Sequence, residues 1–125
     1  MTAKFAYDVT HDPPAPIVPV RVGMTAGQWE AVVPFLVDTG ADVTVIPARL
    51  ARELELPPVG EMMIEGATGR TARVPIFRAD LEIGGIAVSV QVAALGQETL
   101  IGRDVLNQWT LVLRGKAREL EIETG

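Results

Sequence analysis

The chain contains no cysteine. That absence removes disulfides, thiolate metal sites and cysteine nucleophiles together, and it is compatible with a reducing cytosol. Aromatic residues are scarce at 5% of 125 residues, while hydrophobic residues make up 48%. The core must therefore be aliphatic, built mostly from Val, Ile and Leu, and the composition argues against disorder. Basic clusters are missing too: the arginines are scattered and the net charge is −5. Neither a nucleic acid nor an anionic membrane is an expected partner. No run approaches the ~20 apolar residues of a membrane helix. The N-terminal stretch MTAKFAYDVTHDPPAP lacks the apolar centre of a signal peptide. The expectation is a soluble, cytoplasmic protein of one domain, long enough to bury roughly two-thirds of its unfolded surface.

What is present reads as β structure. Residues 1–16 predict an N-terminal arm, because Asp12-Pro13-Pro14-Ala15-Pro16 fits neither a helix nor a central strand; a single domain follows over 17–125. Ile17–Val22 and Trp29–Val37 predict two strands around a turn region at Gly23–Gly27, with Pro19 and Pro34 marking edge or bulge positions. Pro47–Leu54 predicts a short helix, with proline in its first turn and Leu50, Ala51 and Leu54 on one face. Glu61–Glu65 and Thr71–Pro75 flank a glycine-bounded tip, Gly66-Ala67-Thr68-Gly69. Two alternating runs, Phe77–Ile83 and Ile86–Val92, meet at Gly84-Gly85, a strong hairpin signal. Arg103–Gln108 predicts a second short helix. Trp109–Leu113 and Glu119–Ile122 predict a last hairpin.

Two segments stand out chemically. FLVDTGADVT carries an apolar strand into Asp38-Thr39-Gly40, and Leu100-Ile101-Gly102-Arg103-Asp104 repeats the design of a strand followed by a glycine turn. The Gly66–Gly69 hairpin lies between them. Together LVDTGADVTVIP, MIEGATGRTARV and LIGRDVL resemble the retropepsin family, the single-domain aspartic proteases of retroviruses and their cellular and bacterial relatives. The resemblance spans roughly Ile17 to Leu113. Asp-Thr-Gly alone is a weak signal; strand context, Ala41-Asp42 and the spaced IGRD segment make it specific.

The resemblance implies a mostly β, closed antiparallel acid-protease barrel with one or two short helices, a flap hairpin and a two-fold homodimer. It implies an aspartic endopeptidase acting on extended peptide or protein segments, with no metal and no organic cofactor. Asp38 would be the catalytic carboxylate. Thr39 would tie the two catalytic loops together across the dimer. Gly40 would let substrate backbone approach, and Asp42 would meet it further along. Val45 and Leu100 would line side-chain pockets, while Gly66, Ala67, Thr68 and Gly69 would form the flap tip. Ala41, Gly102, Arg103 and Asp104 would support the catalytic loop, with Arg103 bracing it or Asp42.

Physical chemistry supplies the reason for pairing. Two close carboxylates share one proton, because both cannot comfortably ionise. The ionised member takes a proton from water, and the protonated one donates to the substrate carbonyl. One Asp-Thr-Gly in a chain this short requires a second copy to complete the pair. Two departures concern that dimer. Ala15-Pro16 stand where retroviral chains often place an interface arginine, and Trp109–Ile122 is longer than the retroviral C-terminal segment. The dimer sheet is therefore expected to be built differently, with residues 1–16 as candidate contributors.

Plainer roles compete for the same residues. Asp38 could bond its own backbone at a turn, and Gly66–Gly69 could be an ordinary surface hairpin. Asp104 could complement a helix N-terminus. Asp38 and Asp42 could bind a metal, but no second carboxylate cluster assists them and the only histidine, His11, sits in the arm. His11 would be an exposed residue of that arm. Met62-Met63 would pack in the core or touch substrate. The alternative to an enzyme is a catalytically inactive dimerisation or peptide-binding module of the same fold.

Overall fold

Alternation with period two builds the core. In β2 (Ile17–Gly23), Val18, Val20 and Val22 are all buried while Pro19 and Arg21 face outward. β3 (Ala31–Val37) pairs antiparallel with it and adds Phe35 and Val37 to the same interior. The computed structural model describes residues 1–24 and 28–125. Among these it contains ten strands and two short helices. The predicted turn at Gly23–Gly27 falls partly on residues 25–27, outside the described set.

Seven strands form the main sheet. To β2 and β3 are added β4 (Val45–Ile46), β5 (Pro58–Glu65), β6 (Thr71–Ile83), β7 (Ile86–Ala94) and β8 (Leu100–Ile101), in the order β2-β3-β8-β4-β7-β6-β5. A further pairing of β2 with β6 closes six of them into a ring, with β5 attached outside β6. The protein is mostly β, as expected, but its sheet is not wholly antiparallel. β3 with β8, and β4 with β7, run parallel. Parallel pairing sets the C-terminal ends of β3 and β8 side by side, with Val37 opposite Ile101. The two glycine turns that follow these strands are thereby delivered to one place.

The prolines obey hydrogen-bond parity. Val37 donates to Pro16 across the β2–β3 pair, whereas Leu36 donates away from it, to Thr99 at 2.9 Å. Pro19 and Pro34 face each other in that ladder at positions of Leu36's parity, so the N–H each lacks would have pointed outward. Pro75 behaves likewise. The sequence suggested a break there, but β6 runs through it, because the β6–β7 ladder begins only at Ile76.

A second sheet has three strands, β1 (Thr2–Ala6), β10 (Glu119–Glu123) and β9 (Thr110–Arg114), in that order. Residues 1–16, expected as an arm, thus carry a strand that pairs along its whole length with β10. Ala3, Leu120 and Ile122 join the main core. The reason is packing: at Gly84, whose φ is +57°, an added Cβ would lie 2.8 Å from side-chain atoms of both Ala3 and Phe5, so the β6–β7 turn is docked on β1. The helices are α1 (Ala48–Glu53), which buries Ala51, and α2 (Arg103–Leu106), which buries Val105 and Leu106. Burying an aliphatic side chain of this kind stabilises the fold by about 1.5–3 kcal/mol.

Candidate active site

The site begins where β3 runs out of core. Phe35 and Val37 are buried, and Asp38 is the first residue past the strand. Its N–H donates to Ile101 O at 3.0 Å, hanging the turn on the end of β8. The turn is then closed locally: Ala41 N–H donates to Asp38 O at 3.2 Å, and Gly40 N–H donates to Asp38 Oδ1 at 2.9 Å. Glycine suits position 40, because an added Cβ would sit 3.2 Å from that same oxygen. The turn-forming hydrogen bond anticipated for Asp38 is therefore present, and it orients the carboxylate while leaving Oδ2 uncommitted to it.

The IGRD segment clamps this turn from below. Arg103 N–H donates to Ala41 O at 2.9 Å, and its guanidinium reaches Thr39 O at 2.8 Å. The same guanidinium pairs with Asp42. The sequence expectation that Arg103 braces either Asp42 or the loop thus resolves into both. Asp104 is more than a helix-start acid. Its two oxygens accept from Thr44 N–H at 3.0 Å and from Thr44 Oγ1 at 2.8 Å. Thr44 is fully buried, and its Oγ1 in turn accepts from Gly102 N–H at 3.2 Å. A Cβ on Gly102 would run into the backbone of Val43. The two glycine turns are interlocked at a spacing only glycine permits at 102.

Two hollows concern the expected site residues. One, of about 590 Å³, lies between the turn and the β5–β6 hairpin, lined by Gly40, Asp42, Val45, Met62, Gly66 and Ala67 among others. Its apolar lining includes Val43, Val45, Met62 and Ile64, which belong to a small cluster that also packs Val74, Ala93 and Leu100. The second, of about 340 Å³, is lined by Ile17, Leu36 and Leu100 with Asp8, His11 and Glu98 at its polar side. Leu36, which lines the second hollow, stands two residues before Asp38 in the chain, and Gly40, which lines the first, stands two after.

The expected substrate residues therefore divide. Gly40, Asp42, Val45, Gly66 and Ala67 share the first hollow; Thr68 and Gly69 are exposed at the hairpin tip and line neither; Leu100 lines the second. Met62 and Met63 both line the first. Gly69 has a φ of +79°, and its N–H closes the tip on Gly66 O at 3.0 Å. Sequence reasoning missed Thr44 and Leu36. Thr44 has a signal in hindsight, a hydroxyl within an otherwise apolar run; Leu36 had none beyond its strand.

His11 is exposed, as expected, but it is not loose: its Nδ1 lies 3.4 Å from Asp8. The Thr10 hydroxyl and N–H both donate to Asp8, and with His11 nearby they hold its carboxyl below the usual carboxylate range. Among the described residues, no group of three or more His, Cys, Asp and Glu is gathered as metal ligands. Among the described residues, no helix is long and apolar enough to cross a membrane.

No curated protein matches the chain. The family model described as gag-polyprotein putative aspartyl protease matches residues 27–108, which takes in the Asp38 turn, the β5–β6 hairpin, the IGRD segment and α2. With the apolar strand, the Asp-Thr-Gly turn and its Arg103 clamp all within the matched span, the chain belongs to the retroviral-type aspartyl protease family.

Proposed function

We propose that the protein is an aspartic endopeptidase that cleaves extended polypeptide segments, using a water molecule activated by a dyad of two Asp38 carboxylates across a homodimer. The observation that carries this reading is the Asp38 turn. A carboxylate is fixed at the end of a buried strand by Ile101 and Gly40, beside a hollow faced by a glycine-tipped hairpin. One carboxylate so placed is half of a proton-sharing pair, and a second copy supplies the other half.

In the dyad the two groups titrate as a unit. The ionised Asp38 withdraws a proton from water, which attacks the substrate carbonyl carbon. The protonated Asp38 donates to the carbonyl oxygen, giving a neutral tetrahedral diol. Transfer of a proton to the amide nitrogen then breaks the C–N bond. Arg103 serves this chemistry by fixing the turn, through Thr39 O and Asp42. The β5–β6 hairpin acts as the flap, closing on the peptide and excluding water. Gly40 and Asp42 meet the substrate backbone, and Val45 and Leu100 face its side chains.

The test is cleavage of a peptide library by the wild type and by Asp38→Asn, from about pH 4 to about pH 8, with mass in solution measured alongside. The wild type is expected to cut best on the acid side of neutral, and Asp38→Asn to lose on the order of a thousandfold or more with its fold intact. A dimeric wild type that leaves the whole library uncut would establish the inactive binding module instead. A rate that stays flat or rises through alkaline pH would rule out the shared-proton dyad.

A further inference from the structure

The hollow of about 340 Å³ combines apolar walls with a charged mouth. Ile17, Leu36 and Leu100 form the walls, and Asp8, His11 and Glu98 stand at the polar side. Among the described residues no lysine or arginine lines it. Glu98 makes no ion pair among them, and Asp8 pairs only with His11, Nδ1 to Oδ2 at 3.4 Å. A protonated His11 cancels one carboxylate and leaves the other, so the mouth stays negative. Both of its sides are held in place. Asp8 and Ala15 exchange backbone bonds of 2.8 and 3.2 Å, and Thr10 donates to the Asp8 carboxylate through N–H and hydroxyl. Those two bonds, with His11, keep the carboxyl below the usual range, so it remains charged on the acid side of neutral. Opposite, Glu98 precedes Thr99, whose carbonyl accepts from Leu36 N–H at 2.9 Å and whose hydroxyl donates to Pro34 O. The walls belong to the strand that carries Asp38. Phe35 and Val37 are buried, so Leu36 points to the other side of β3, the side that Asp38, two residues on, shares by alternation. Asp38 N–H extends the β3–β8 ladder to Ile101 O. Two residues of extended chain place the Leu36 and Asp38 Cα atoms about 7 Å apart.

We propose that this hollow selects a basic side chain, lysine or arginine, beside the bond that is cut, with Asp8 and Glu98 as the residues that set the preference. The proposal rests on the peptidase reading and names its substrate class: extended segments with a basic residue next to the cleavage point. The methylene stem lies along Ile17, Leu36 and Leu100, and the cationic head sits at the mouth between the two carboxylates. A norleucine of similar stem gains the walls alone. A glutamate meets charge of its own sign. The hollow is built within one chain, so its preference is present whatever the assembly. The other hollow does not oppose it: no lysine or arginine lines that one either, and it holds Glu65 and the Asp42 that Arg103 already pairs.

The test uses peptides of one extended apolar host sequence whose central residue is lysine, arginine, norleucine or glutamate. Cleavage beside that residue is followed by mass spectrometry, and binding of the same peptides by fluorescence anisotropy. With the wild type at low salt, kcat/KM for lysine and arginine should exceed that for norleucine about five- to tenfold, the yield of two partly exposed charge pairs, with glutamate lowest. Raising salt from about 0.05 M to about 1 M should bring the lysine-to-norleucine ratio towards one. Asp8→Asn combined with Glu98→Gln should do the same at low salt, and Asp8→Asn combined with Glu98→Lys should reverse the order of lysine and glutamate. Each readout is a ratio within one preparation, so a variant that folds only in part still reports it. Norleucine cut as fast as lysine, or a lysine preference that survives both the salt and the double variants, would overturn the proposal. If nothing is cut but lysine peptides bind more tightly than norleucine ones and the double variant loses the difference, the hollow's selectivity stands and the peptidase reading fails. If the wild type cuts beside norleucine as readily as beside lysine, the reverse holds. No cleavage and no difference in binding would overturn both.

Discussion

Thr44 shows how a buried hydroxyl shapes a surface turn. It donates twice to Asp104 and accepts from Gly102, joining the segment after Asp38 to the segment after β8. Thr44→Val keeps the volume but removes the hydroxyl's bond to Asp104 Oδ1, which keeps only the Val105 N–H, and leaves the Gly102 N–H without its partner. The expected cost is about 1–3 kcal/mol, read from urea unfolding, and cleavage should fall with it because the Asp38 turn loosens. Asp8 offers a pH prediction of known sign. Its carboxyl is held below the ordinary range chiefly by Thr10. The hold it gives the turn at Thr10 and His11 is thus present above the ordinary carboxylate pKa and is lost as pH falls through the lowered one. An NMR titration should place its midpoint below that of an unperturbed aspartate, and Thr10→Ala should raise it.

At the level of elements, the β5–β6 hairpin combines two roles in one long strand. Residues Thr71–Pro75 of β6 pair only with β5, whereas Arg78–Ile83 pair with β7. Ala79, Leu81 and Ile83 are fully buried, but Glu65–Arg73 are exposed. The tip has few apolar contacts to hold it, which places it at the low end of local stability. Amide hydrogen exchange should therefore be fastest in Glu65–Arg73 and slowest in Ala79–Ile83. A bound peptide analogue is expected to slow exchange at Gly66 and Ala67, which line the hollow, more than at Glu82. Equal protection of both segments would remove the hairpin from the flap role.

For the whole molecule, the proposed chemistry depends on concentration. If each site needs two chains, specific activity should be constant when dimer predominates and should fall on dilution below the dimer dissociation constant. Enzyme titration against a fixed peptide checks this, and a specific activity unaffected by dilution through a measured monomer–dimer transition would exclude the shared site.

The local residue pattern was enough to locate the candidate catalytic turn and most of the elements. Asp38-Thr39-Gly40, the IGRD segment and the glycine-tipped hairpin are local signals, because turns need particular backbone angles and close approaches that few residues allow. The period-two runs located the strands, and Pro47 located α1, for equally local reasons. What lies beside what was settled by long-range pairing. Parallel pairing of β3 with β8 depends on residues some sixty positions apart. The role of Thr44 exists only once Asp104 is underneath it, and Leu100 faces the second hollow because β8 lies between β3 and β4. The segment before Ile17, proline-rich and expected as an arm, became a core strand because β10, at the other end of the chain, supplied its hydrogen bonds and the β6–β7 turn its packing. Strand pairing across such separations is set by burial and by the free edges that remain, and neither is written in the local residue pattern.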